Sequence, residues 1–130
     1  MKNVTVSMII VLLITIGVWM FSVRAVEDAC SEAQRLCGEA ERLYECGAAD
    51  RATEKMEQLM TCWKRHEAVL TAVLSHSSIG DVTRLVIEAR SALLGGNRQE
   101  FAEDMMLLRE RLENLRAQER LSLANILAIC

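Results

Sequence analysis

The chain has 130 residues, 52% of them apolar, with no proline, six glycines and a formal net charge of -3. One domain fits that length, the apolar share excludes global disorder, and the missing proline excludes collagen-like, proline-rich and most all-β architectures. Because Lys2 and Arg24 flank an apolar start, residues 25–130 carry 18 acids against 13 bases, interleaved and without a basic stripe, so nucleic acid is not an expected partner.

From Val4 to Val23 no residue is charged. Twenty helical residues rise about 30 Å, the thickness of a hydrocarbon core, and a helix satisfies its own backbone there. Trp19 and Phe21 lie near the far end, where aromatic rings favour the interface. A cleaved signal peptide is the competing reading, with small residues suited to cleavage after Ala25. The run is too long for a signal's apolar region, and Arg24 sits badly beside the cut. A lipoprotein is excluded because Glu27 and Asp28 precede Cys30 where an apolar lipobox residue is needed. Residues 1–24 are therefore expected to be a transmembrane anchor or uncleaved signal, and 25–130 a helical bundle with an apolar tail. Lys2 favours an inside amino terminus, which places the larger part outside the cytoplasm at the cell membrane.

Gly47, the serines from Ser75 to Ser78 and Gly95-Gly96-Asn97 cut the remainder into four helical segments. The first, about 26–46, follows the apolar run without a break and carries a thin stripe of Ala29, Ala33, Leu36, Ala40, Leu43 and Tyr44. The second starts at Asp50 as N-cap and runs to about Leu74, with Ala52, Met56, Leu59, Trp63, His66, Leu70 and Val73 on one face. The third opens at Ser78 with Asp81 and continues through Val82, Val86, Ala89 and Leu93. Asn97 and Glu100 open the fourth, which carries Phe101, Met105, Leu108, Leu112 and Leu115. Short connections force antiparallel neighbours, so the fold class is all-α: an N-terminal transmembrane helix and a small antiparallel bundle of about four helices. The uncharged residues 121–130 are too few to span a bilayer and are expected to cover themselves on the bundle. Arg109, Arg111, Arg116 and Arg120, set among Glu110, Glu113 and Glu119, read as a solvated face.

Trp63, Leu70, the run His76-Ser77-Ser78-Ile79-Gly80-Asp81-Val82 and the later Asn125-Ile126-Leu127 resemble the domain of unknown function 4363 family, small membrane-anchored helical proteins of Gram-positive bacteria. The resemblance implies a membrane-anchored helical protein and, through the spore formers in which the family is found, an accessory role in an envelope or sporulation-related assembly. The five cysteines depart from its pattern.

Cysteines at 30, 37, 46, 62 and 130 cannot all pair within one chain. The cysteines read either as small buried apolar thiols or as part of a structural disulfide, for which folding the first two helices together makes Cys37–Cys62 the best candidate pair. Cys62 and His66, four apart, share a helical face, but no CxxC or HxxxH accompanies them; no metal site and no cofactor is expected, and His66 is read as a seam residue bonded to a nearby glutamate. His76 is expected to cap a helix end. Ser75, Ser77 and Asp81 have ordinary turn and capping duties, so no catalytic residue is expected and the chain is read as not an enzyme. The expected role is binding, through the membrane by the N-terminal helix and through an unidentified protein partner or self-association, with Trp63, Leu70, His76, Asn125, Ile126 and Leu127 as contact residues. The alternative is an extracytoplasmic redox- or metal-responsive domain using Cys37, Cys62 and His66.

Overall fold

The computed structural model describes the backbone of residues 1–129; Cys130 and the side chains at 122, 123, 126, 127 and 129 lie outside the described residues. Four helices follow one another: α1 (Lys2–Glu45), α2 (Ala49–Leu70), α3 (His76–Leu94) and α4 (Arg98–Ile129). Among the described residues there is no strand. Helix α1 packs on α2 and α4, and α3 closes the ring by packing on the same two neighbours. The fold is all-α, an antiparallel bundle of four helices whose first member carries the long apolar stretch.

That stretch does not end where the bundle begins. With no glycine or proline between Gly17 and Gly38, α1 runs through all 44 residues and rises about 66 Å. Up to Phe21 its large apolar residues stand exposed apart from half-buried Trp19, and from Val26 onward its apolar stripe is buried. The buried stripe is narrow because it is built of small residues: Ala29, Ala33 and Ala40 have no exposed surface. Small side chains there let α1 approach the bulkier Met56, Leu59 and Trp63 of α2 and Met105, Leu108 and Leu112 of α4, all fully buried.

Two of the three turns share one build. Gly47 at φ +82 and Gly96 at φ +71 adopt the left-handed conformation that side chains resist. In each, backbone N–H groups reach back to the last carbonyls: Ala48 N to Leu43 O at 2.9 Å, and Asn97 N to Ala92 O at 3.0 Å. This satisfies the orphan helix end and reverses the chain tightly.

The capping assignments came out unevenly. Asn97 caps α4 as expected, its Oδ1 accepting from Glu100 N at 3.1 Å while its Nδ2 donates to the Glu100 carboxylate at 3.0 Å. Asp50 is not the cap of α2; the Gly47 turn leads directly into Ala49 from Ala48, and Asp50 sits in the first turn. The N-cap of α3 lies three residues before the expected Ser78, because Ser75 is the extended residue and its Oγ accepts from Ser78 N at 3.3 Å. His76 consequently lies at the positive end of α3 and not at a helix C-terminus. Helix α2 ends at Leu70, not Leu74.

One further expectation is corrected. Arg116 does not belong to a solvated face: its guanidinium reaches from α4 to α1, donating Nε to Glu27 Oε2 at 3.1 Å and Nη1 to Gln34 Oε1 at 2.7 Å. Arg109 bonds Glu41 at 2.9 Å higher on the same pair of helices. In the tail, Leu121, Ala124, Asn125 and Ala128 are exposed, and the side chains expected to pack on the bundle, at 122, 123, 126, 127 and 129, lie outside the described residues.

Asp104 is the buried charged residue of this core, and its Oδ2 has no hydrogen-bond partner. Burial raises its pKa first, and repulsion from Glu88, Glu100 and Glu103 adds to it. A carboxyl with a raised folded-state pKa stabilises the fold below its unfolded value, and that contribution is lost as pH rises through the folded value. At neutral pH the charge therefore works against folding. Asp104→Asn is expected to raise stability by about 0.5–2 kcal/mol at pH 7. The gap between variant and wild type in thermal melts should narrow on acidification to about pH 4; a gap that widens instead contradicts the assignment.

Candidate functional site

The register of the α1–α2 hairpin follows from its turn. One step below Gly47, Glu39 meets Lys55 at 2.9 Å; farther down, Glu32 meets His66 with Oε2 to Nε2 at 3.4 Å. Cys62 and His66 sit four residues apart on α2 and so share a face. Across from them α1 presents Glu32. The carboxylate oxygen, the thiol sulfur and the imidazole nitrogen lie within 4.8 Å of one another.

The three groups differ in exposure. Cys62 is buried, whereas the His66 and Glu32 side chains are partly open. A surface cleft of about 450 Å³ between the two helices has Glu32, Arg35, Cys62 and Arg65 on its walls. Hydrogen bonding from Cys62 and His66 holds the Glu32 carboxyl below the usual carboxylate range. Burial, reinforced by the Glu32 carboxylate, pushes the Cys62 thiol up to about 11. The cluster thus joins a sulfur, a nitrogen and an oxygen donor at one point on the hairpin. The expected bond from His66 to a glutamate is present, and its partner is Glu32.

The same register does not bring the candidate pair Cys37 and Cys62 together. Cys62 stands level with Glu32, five residues and about 7 Å of helical rise from Cys37. That separation, with the two residues on different sides of α1, does not suit a disulfide. Cys30, Cys37, Cys46 and Cys62 are all free thiols. Cys30 and Cys37 instead fill the α1 seam as small apolar groups, and burial pushes both thiols up to about 12. Alkylation of the folded, reduced protein at pH 8 followed by peptide mapping should modify exposed Cys46 first and leave Cys30 and Cys37 intact until denaturant is added. Rapid modification of Cys30 in the native state would contradict its place in the seam.

The expected partner contacts are also redistributed. Trp63 and Leu70 have no exposed surface, being enclosed by the chain's own helices, and so present nothing to a partner. Trp63 further uses its ring nitrogen internally, donating to Thr83 Oγ1 of α3 at 3.1 Å. His76 and Asn125 are exposed; the Ile126 and Leu127 side chains lie outside the described residues. The apolar stripe put Trp63 at a helix seam, but Glu32 could not be found that way, because it belongs to a different helix and lies off the apolar stripe of α1.

Residues 20–126 match the family described as a domain of unknown function, DUF4363. No curated protein and no solved structure matches the chain.

Proposed function

Since the chain belongs to the DUF4363 family, which carries no assigned activity, we propose a role read from its geometry: a single-pass membrane-anchored helical protein that acts by binding and not by catalysis. It serves as a structural or accessory component at the membrane surface, in an envelope or sporulation-related assembly of the kind the family resemblance suggests. The observation that carries this reading is the unbroken course of α1. Its first part is uncharged and exposed, long and apolar enough to cross a membrane, and the same helix enters the bundle core without a joint. An anchor built this way seats the bundle rigidly against the lipid surface.

Helix α4 runs antiparallel to α1. The Tyr44 and Phe101 rings meet at one end of the pair, 5.0 Å between centroids, and Glu27 meets Arg116 at the other. The uncharged residues from Leu121 onward therefore leave the bundle beside the anchor. This is where a protein partner or a second copy docks, with His76 and Asn125 as exposed polar contacts. The non-enzymatic reading is supported by the serines near His76: Ser75 Oγ and Ser78 Oγ lie 2.8 Å apart and serve the start of α3.

A photoreactive residue at Leu121 and another at the opposite end, at Cys46, test the reading in native membranes. Adducts of defined mass from position 121 and none from 46 support it. Adducts equally frequent from both ends, or from neither, contradict it. A reporter fused after residue 130 tests the orientation, with activity outside the cytoplasm as the expected result.

A further inference from the structure

We propose that Glu32, Cys62 and His66 form a binding site for zinc or a divalent ion of similar softness, with the fourth coordination position open to the cleft between α1 and α2. This goes beyond the anchored binding role and stands or falls independently of it.

The donor set selects the ion. A thiolate and an imidazole suit zinc, whereas magnesium and calcium take oxygen ligands. The spacing suits it as well. Cys62 and His66 lie one turn apart on a single helix, and a carboxylate from the facing helix completes three protein ligands around one point. Three protein ligands with a fourth position left open is the arrangement of exchangeable and reactive zinc sites, as opposed to closed structural ones.

The Glu32–His66 hydrogen bond is long, and its length also suits two ligands of one ion. A charge-assisted N–H···O bond favours about 2.7–2.9 Å. Oε2 of Glu32 and Nε2 of His66 stand 3.4 Å apart, long for such a bond. Two ligand atoms each about 2.0–2.1 Å from a tetrahedral ion are separated by about 3.3 Å, so the observed spacing is that of a coordination edge. Charge balance is also favourable. A carboxylate and a thiolate neutralise a divalent cation, and Cys62 gives up its S–H proton to solvent as the metal–sulfur bond forms. Buried Cys62 supplies the inner wall, and the partly exposed Glu32, which lines the cleft with it, leaves a route in.

The test uses the full chain, purified in detergent, reduced, stripped with a chelator and dialysed, then given zinc or cobalt(II) alone. One equivalent of either metal is expected to bind. Cobalt should produce a thiolate-to-metal charge-transfer band that Cys62→Ser abolishes. Zinc should slow alkylation of Cys62 at least tenfold while exposed Cys46 reacts at its former rate. His66→Gln and Glu32→Gln should each weaken binding at least tenfold, and thermal melts without metal verify that both variants fold. The protection measurement needs no variant, so it remains decisive if a substitution disturbs the hairpin. Absence of stoichiometric metal, a charge-transfer band that survives Cys62→Ser, or Cys62 reactivity indifferent to zinc would each overturn the assignment.

Discussion

Replacing Trp63 by alanine is expected to destabilise the bundle by about 3–5 kcal/mol, the cost of emptying a fully enclosed aromatic site. The indole lies on α2 and donates to Thr83 on α3, so the cavity would open where those two helices meet. The level of α1 facing this part of α2 offers the small Ala29 and Ala33, which have little side chain with which to fill it. For a domain of this size the corresponding fall in Tm is at least about 12 °C. Trp63→Phe retains most of the apolar volume and loses the hydrogen bond, so a markedly smaller loss is expected. Chemical denaturation of the two variants measures the difference. A Trp63→Ala protein within about 1 kcal/mol of wild type, well under the smallest cost expected for such a core truncation, would mean that the ring is not in the core.

The second large effect concerns the anchor. Ile14 lies near the middle of the uncharged stretch and is exposed, with no part in the bundle core. Arginine at the centre of a spanning helix costs about 2.5–3.5 kcal/mol of insertion free energy, which offsets the favourable contribution of about five to ten aliphatic residues. Ile14→Arg is thus expected to move the insertion equilibrium by about a hundredfold and release most of the protein from the membrane fraction. The bundle should be unaffected, with the same helical content and the same Tm in detergent. Fractionation alongside circular dichroism tests both halves. Unchanged membrane retention would count against the anchor, and a lowered Tm would show that Ile14 contributes to folding.

Much of the fold was legible because helical spacing reports a face directly. Met56, Leu59, Trp63 and Leu70 on α2, and Phe101, Met105, Leu108, Leu112 and Leu115 on α4, occupy the buried face that their three- and four-residue steps indicate. The thin alanine stripe of α1 was legible for the same reason. What could not be read was register. A periodic pattern says which side of a helix is apolar but not which residue stands across from which, and a shift of five residues separates Cys37 from Glu32 as the partner of Cys62. Arg116 escaped for a related reason: its charge suggested water, yet Glu27 and Gln34 from α1 enclose its guanidinium. Local ambiguity misplaced the start of α3, since Ser75, Ser77 and Ser78 all have capping chemistry and only backbone conformation chooses among them.

The candidate site was half legible. Cys62 and His66 announce themselves by a four-residue step on one helix. Their third partner arrives from 30 residues earlier in the chain and is one among 18 acids, so nothing in the pattern marks it. Only the antiparallel hairpin set by Gly47 brings Glu32 to them.

The proposed anchoring requires that the first half of α1 stay in the bilayer uncleaved while the second half of the same helix carries the bundle. Extraction of membranes with alkaline carbonate, followed by mass determination of the retained chain, tests this most directly. The account predicts that the protein remains in the pellet at the mass of the intact chain, with residues 4–23 still present. Recovery in the supernatant, or a chain that begins at Val26, would contradict it.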